Sequence, residues 1–343
     1  MVTKPWFVSA AGLLGLLLAG VAAGQSIPVL PEISPAIAGA HPELAQRRMM
    51  LVMERDVLRN NNQQHNGRCR NVEEGSREHA ACDVSLVQLE AKIRRHIEAS
   101  ERFIAAFTIQ AVNALAQRQG WSADKRARLN KALNKLKFDG DPNATGVMIR
   151  QSWRDILARG QGEEFARDAS DGDGPGFPVA GTQTRYADCA IFALANAAGL
   201  PYGVVAARAT DLIREGEWRP AAERANPRQV IEQQGLIGGE VVMLAEAFGQ
   251  AEVVSSKNFA KTLKAGRPVM VNVVPEDGET QKGHEVVLTK AFRRGDETWF
   301  EMMDSNQGAQ RRLYLSTKEL NTMLQENGVA FRPEPGTVPK LLR

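Results

Sequence analysis

Residues 168–181, DASDGDGPGFPVAG, constrain the fold more than any other stretch: four glycines and two prolines in fourteen residues forbid a regular helix or strand. Before this breaker the chain carries helical periodicity alone. After it, helix signals mix with short Val-rich runs. The contrast predicts a linker at 168–181, a helical bundle over 41–167 and a second domain over 182–332. With 343 residues, 43% hydrophobic and 24% charged, the chain can fill two cores. Asp171-Gly172-Asp173-Gly174 looks like the start of a calcium loop, but the twelfth position from Asp171 is Thr182, where a bidentate Glu belongs. The glycines also lack the Lys-Ser/Thr of a phosphate loop. No metal or cofactor is expected.

The N-terminus reads as an address. Lys4 precedes an uncharged run from Pro5 to Pro31 with five leucines between 13 and 18, followed by small residues over Ala19–Gly24. This is the pattern of a secretory signal peptide over 1–24, cleaved after Ala22 or Gly24, which predicts a secreted or periplasmic protein. The alternative is a retained membrane anchor over 5–24, a stretch just long enough to span a bilayer. Residues 25–40 are expected to form a Pro-rich tether. Net charge is +6 over 41–167 and −3 over 168–343, too balanced for a nucleic-acid binder.

Leu44, Leu51 and Leu58, then Leu86, Leu89, Ile93, Ile97, Ile104 and Phe107, recur at helical spacing and predict two long helices joined through a polar connector at 60–76. Further helices are expected near 122–136 and 147–166. In the second domain helices are predicted at 189–198, 227–234, 240–248 and 259–265. Strands are predicted at 251–255, 268–274, 285–290, 298–303 and 311–315, with a capping box at Ser316–Glu319 opening a last helix. Helices first and an antiparallel sheet after them argue an α+β fold. The tail, 333–343, is expected to be disordered.

Cys69 and Cys82 lie thirteen positions apart across the polar connector, and in an exported chain such a pair should close as a disulfide. His65 and His79 would complete a four-ligand zinc set as the alternative, at spacings that fit no standard finger. Cys189 is left over. Asp188 can cap its helix and place the thiol in the first turn, where the positive end of the dipole favours a thiolate.

His284 is the one histidine beyond the linker and opens a strand that hairpins through Arg293-Arg294-Gly295-Asp296. A turn centred near Arg294 sets His284 opposite Asp304; a slip by one makes Ser305 or Asn306 the candidate partner. Acyl transfer also needs oxyanion donors, for which the Cys189 N–H and the amide of Gln183 are candidates.

Taken together, Gln183-Thr-Arg-Tyr-Ala-Asp188-Cys189, Gly283-His284-Glu-Val-Val-Leu and Met303-Asp304-Ser-Asn-Gln-Gly308 resemble the papain-like cysteine peptidases, especially the bacterial double-glycine (bacteriocin-processing) group. The resemblance covers about 182–331. It implies a papain-like domain with Cys189 as nucleophile, His284 as base and then acid, Asp304 as orienter and Gln183 in the oxyanion hole. The function expected is an exported cysteine hydrolase acting on a protein or peptide substrate, cell-wall peptides among the candidates, through a thioester acyl-enzyme. An amine-accepting transamidase would use the same residues. The alternative from another class is an inactive papain-like binding module whose helical region carries the partner contact.

Overall fold

The computed structural model describes residues 30–159, 163–174, 187–279, 283–306 and 311–333. The expected signal peptide, Gln183, most of the breaker-rich segment and residues 334–343 lie outside them. No described helix is long and apolar enough to cross a membrane. The described residues divide into two compact units, 30–111 and 112–333.

The first unit holds α1 (Pro35–Ala40), α2 (Pro42–Cys69) and most of α3 (Arg77–Arg118). The tether expected over 25–40 thus contains a helix. Ser34 caps it by accepting from the Ile37 N–H, Pro35 sits in the first turn where its missing N–H costs nothing, and Ile37 is buried. The polar connector is also shorter than expected, because α2 continues through Asn60–Asn62 to Cys69. Leu58 packs against Leu89, Ile93 and Ile97, so apolar burial carries the helix through a run of poor helix formers. Glu54 accepts from His96 (3.0 Å) and His65 meets Ser85 (2.9 Å), which fixes α2 and α3 as an antiparallel hairpin. Cys69 and Cys82 close it as a disulfide, with Cα atoms 5.9 Å apart. With the sulfurs joined, the four-ligand zinc alternative has no thiolates to use.

The second unit starts inside α3, earlier than the predicted boundary. It contains α4 (Ala123–Leu133), α5 (Gly146–Arg159), α6 (Glu163–Ser170), α7 (Cys189–Ala198), α8 (Tyr202–Glu215), α9 (Ala221–Ala225), α10 (Pro227–Gln233) and α11 (Gly238–Phe248). Then follow β1 (Gly249–Val254), α12 (Phe259–Lys264), β2 (Val269–Val273), β3 (His284–Arg294), β4 (Glu297–Asp304), β5 (Arg311–Ser316), α13 (Thr317–Met323) and β6 (Gly328–Pro333). The strands form one antiparallel sheet in the order β1-β6-β2-β3-β4-β5. This is a mixed helix and sheet region preceded by helices.

The helices expected near 122–136 and 147–166 to complete the N-terminal bundle belong to the second unit instead, the first as α4 and the second as α5 and α6. Ile149, Trp153 and Ile156 of α5 are fully buried in the core formed by β2 to β5, and the Trp153 indole donates to the Val274 carbonyl at 2.8 Å. Arg159 ties the end of α5 to Glu319 of α13 with two bonds, 2.7 and 3.1 Å. The amphipathic stripe of α5 reveals that it packs, but not against what. The described start of the breaker segment is likewise part of the sheet layer: α6 runs into it as far as Ser170, and Asp173 exchanges both backbone bonds with Ala291. Strand β6 extends the fold to Pro333, into the expected tail, by pairing with both β1 and β2.

Candidate active site

Helix α7 begins at Cys189 and is apolar but for Asn196, with Ala190–Ala198 all buried; Gly199 ends it in the left-handed conformation (φ 64°). A helix buried on all sides fixes its first residue firmly, and Cys189 is half-buried there as the free thiol of the chain. Asp188 takes the N-cap position without capping: its carboxylate accepts from the Tyr202 hydroxyl at 3.0 Å and makes no bond to the first helical N–H groups. Tyr202 also stacks on Phe192, so this hydroxyl is held by the helix it helps to start.

Behind the first turn of α7 stands a buried ionic network that lay unread in the sequence. The Arg219 guanidinium grips Glu240 with two 2.5 Å bonds, reaches Glu223 at 3.1 Å and donates to the Gly235 carbonyl at 3.1 Å. Glu240 further accepts from the Trp218 indole (2.8 Å) and the Ile237 N–H (3.0 Å). Every acceptor of that carboxylate is used, as burial of a charge requires. The network anchors Gly235, whose φ is +77° and whose missing Cβ would sit 2.8 Å from the Ala187 carbonyl. Only glycine fits so close to the residues leading into Cys189.

His284 opens β3, and its Nε2 bonds the Asp304 Oδ1 at 2.7 Å. The pair forms by a different register from the one predicted. The turn lies at Gly295-Asp296, with Gly295 at φ +61°, so Arg294 pairs with Glu297 and Lys290 with Glu301. On that ladder alone His284 would face away from Asp304. A bulge between Leu288 and Lys290 shifts the ladder by one, pairing Leu288 with Met302 and Val287 with Met303. Continuing that register sets Asp304 level with Val286, two residues from His284 and on its face. The contact is diagonal, within reach of an imidazole and a carboxylate. At the bulge the Thr289 hydroxyl donates to Glu301 at 2.5 Å.

Asp304 is fully buried and further held by Arg311, its direct partner on β5, and by the Asn306 N–H at 2.9 Å. Arg311 in turn bonds Glu276. Burial disfavours the Asp304 charge, but the bond to His284 and the nearby Arg311 hold its carboxyl below the ordinary range. Ser305 and Asn306, the alternative partners of His284, do not displace it: Asn306 supports Asp304 through its backbone.

Cys189 stands close enough to His284 to influence its charge. With Nε2 occupied by Asp304, Nδ1 is the nitrogen left for the thiol. Burial opposes a charge on the imidazole, yet the bond to Asp304 and the nearby Cys189 outweigh it and push its pKa up to about 10. Three side chains separated by up to 115 positions are therefore brought into one neighbourhood, with His284 bonded to Asp304 and within the influence of Cys189. A thiol paired with an imidazole that a carboxylate orients can ionise to thiolate and imidazolium and then move a proton. Gln183 lies outside the described residues.

Comparison with models of known protein families finds none that matches this chain, and comparison with curated proteins finds no significant relative.

Proposed function

We propose that the second unit is a papain-like cysteine hydrolase that cleaves a peptide or amide bond. The reading is supported above all by one arrangement: His284 bonds the buried Asp304 and lies within the influence of Cys189, the first residue of α7. In this reading the Cys189 thiolate attacks the substrate carbonyl while its backbone N–H, at the positive end of α7, faces the developing oxyanion. The His284 imidazolium passes its Nδ1 proton to the leaving amine, which departs as the thioester forms. Water then loses a proton to the same nitrogen, attacks the thioester and releases the acid and the thiol. Asp304 keeps the ring aligned throughout, fixed by Arg311 and Asn306. The Gln183 amide is the second oxyanion donor by its offset from Cys189, and the N-terminal pattern makes the enzyme an exported one.

The test is covalent. The full chain incubated with a library of peptidyl electrophiles should be modified at Cys189, with a preference among the peptides; loss of modification in Cys189→Ala and in His284→Ala accompanies it. Labelling at Cys189 with no peptide preference and no dependence on His284 contradicts the hydrolase. An amine acceptor in place of water, added as hydroxylamine or a primary amine, reads out transamidation directly from the product mass.

A further inference from the structure

The α2–α3 hairpin packs one face of each helix against the other and leaves the opposite face bare. On the buried side of α2, Leu44, Leu51 and Leu58 recur at seven. Its outer side carries a second repeat of the same length: Gln46, Met50, Met53, Val57, Asn60 and Gln64 follow one another in steps of four and three, and all six are exposed. Such steps keep residues on one stripe of a helix and make the seam of a two-helix coiled coil. The stripe holds no charge, and its middle is apolar: Met49, Met50, Met53 and Val57 are 56–63% exposed. Among the described residues, four of the eight large apolar side chains that stay exposed therefore fall within nine positions of one helix. Scattered exposed apolar residues need no partner, whereas a contiguous stripe marks a contact surface.

Charge selects what covers it. Two α2 seams paired antiparallel, about a two-fold axis between Leu51 and Val52, set Met50 of one chain against Met53 of the other and Gln46 against Val57, each layer occurring twice. The flanking positions then bring Arg47 to Glu54 of the second copy, again twice. Arg47 is exposed and has no hydrogen-bond or ion-pair partner among the described residues. Glu54 is about half exposed, with its Oε2 bonded to His96. Parallel pairing offers no such match, because it sets Glu54 beside Met49 and Arg47 beside Pro42. The outer face of α3 repeats in the same way through Ala80, Val84, Val87 and Ala91, but its antiparallel self-pairing would set Asp83 against Glu90 of the second copy. Like charges oppose that arrangement, and the α2 face alone is complementary to itself.

We propose that the outer face of α2 binds a second copy of this chain as an antiparallel homodimer, with the two Met50–Met53 layers at its centre. The overlap runs from Glu43 to Asn60, ~26 Å at 1.5 Å per residue. This is small beside a permanent interface, so the dimer is reversible, with a Kd on the order of 10 μM. The proposal is independent of the hydrolase chemistry, whose residues belong to the other unit.

The test is sedimentation equilibrium of the full chain between ~1 and ~100 μM, a range that brackets the expected Kd. The wild type should pass from monomer to dimer across it. Met50→Lys/Met53→Lys, which gathers four ammonium groups in the central layers, should associate at least tenfold more weakly. Arg47→Glu and Glu54→Arg should each weaken self-association by about fivefold, whereas an equimolar mixture of the two should associate as tightly as wild type, because each chain presents the charge the other lacks. Unchanged thermal melting and unchanged Cys189 labelling show that each variant is folded; where Glu54→Arg melts early through loss of its bond to His96, Arg47→Glu and the methionine variant carry the test. A chain that stays monomeric at ~100 μM overturns the proposal. So does association that the methionine variant leaves intact, which would place the contact in another segment, or association indifferent to the charge of Arg47.

Discussion

At the scale of single residues, reactivity and stability both turn on protons held by His284 and its neighbour. Because His284 keeps its proton to about pH 10, its ring C–H signals should stay at their protonated positions from about pH 6 to 9 in an NMR pH series. Asp304→Ala removes the carboxylate that favours the charged ring and should bring the midpoint of that titration down to the ordinary imidazole range or below. Glu285 works on stability. Burial and the nearby Glu326 carboxylate raise its pKa from 4.5 to about 8, against the smaller opposing effects of Asn272 and His284. The folded state thus holds a proton that the unfolded chain has released, so this residue lowers stability as pH rises from about 4.5 to about 8. Glu285→Gln keeps an acceptor for Asn272 and should raise Tm at pH 8 while leaving it unchanged near pH 4. His284 has the same sign: its stabilisation is complete below about pH 6.5 and is lost as pH climbs toward 10.

At the scale of elements, much was legible where local chemistry decides the outcome. Cys189–Ala198 reads as a helix because an apolar run ends at Gly199-Leu-Pro201, and Ser316–Glu319 reads as a start because its capping box forms as written, with Ser316 Oγ accepting from Glu319 and Glu319 answering to the Ser316 N–H. The hairpin that carries His284 and Asp304 was legible only in outline. Its turn sits at Gly295 because that residue alone takes a positive φ there, and its bulge at Thr289 depends on contacts across the sheet that no local pattern encodes. The pair His284–Asp304 was foreseen by an incorrect register and forms by the bulge. The support beneath Cys189 was illegible for the same reason: Arg219 and Glu240 stand 21 positions apart, and nothing between them signals a contact. That support predicts that Gly235→Ala, which forces a Cβ against the Ala187 carbonyl at an unfavourable φ, displaces the first turn of α7. The variant should lose about 1–3 kcal/mol in a urea melt and should label more slowly at Cys189, whereas Gly203→Ala, on an open helical surface, should do neither.

At the scale of the whole molecule, the chemistry and the disulfide belong to different units. Residues Cys189, Arg219, Glu240, His284, Asp304 and Arg311 all lie in 112–333, and Cys69–Cys82 lies in the hairpin. Opening that loop by Cys69→Ser/Cys82→Ser should lower the stability of the hairpin by about 2–4 kcal/mol in the chain-entropy account. Calorimetry should show its melting transition moving down while the labelling rate of Cys189 stays the same. The breaker-rich segment looked like the seam between domains because glycine and proline stop helices. Yet α4, α5 and α6 bury their apolar faces with the sheet, and partnership between distant surfaces, invisible in periodicity, decides where a unit begins.

The rate at which iodoacetamide alkylates Cys189 in the folded full chain at pH 6, compared with the same chain unfolded in urea and with folded His284→Ala, tests the central claim most directly. The proposed pairing of the Cys189 thiol with His284 predicts alkylation at least tenfold faster in the folded wild type than in either control. Equal rates in all three would mean that the sulfur, the ring and the carboxylate are neighbours without being a chemical unit.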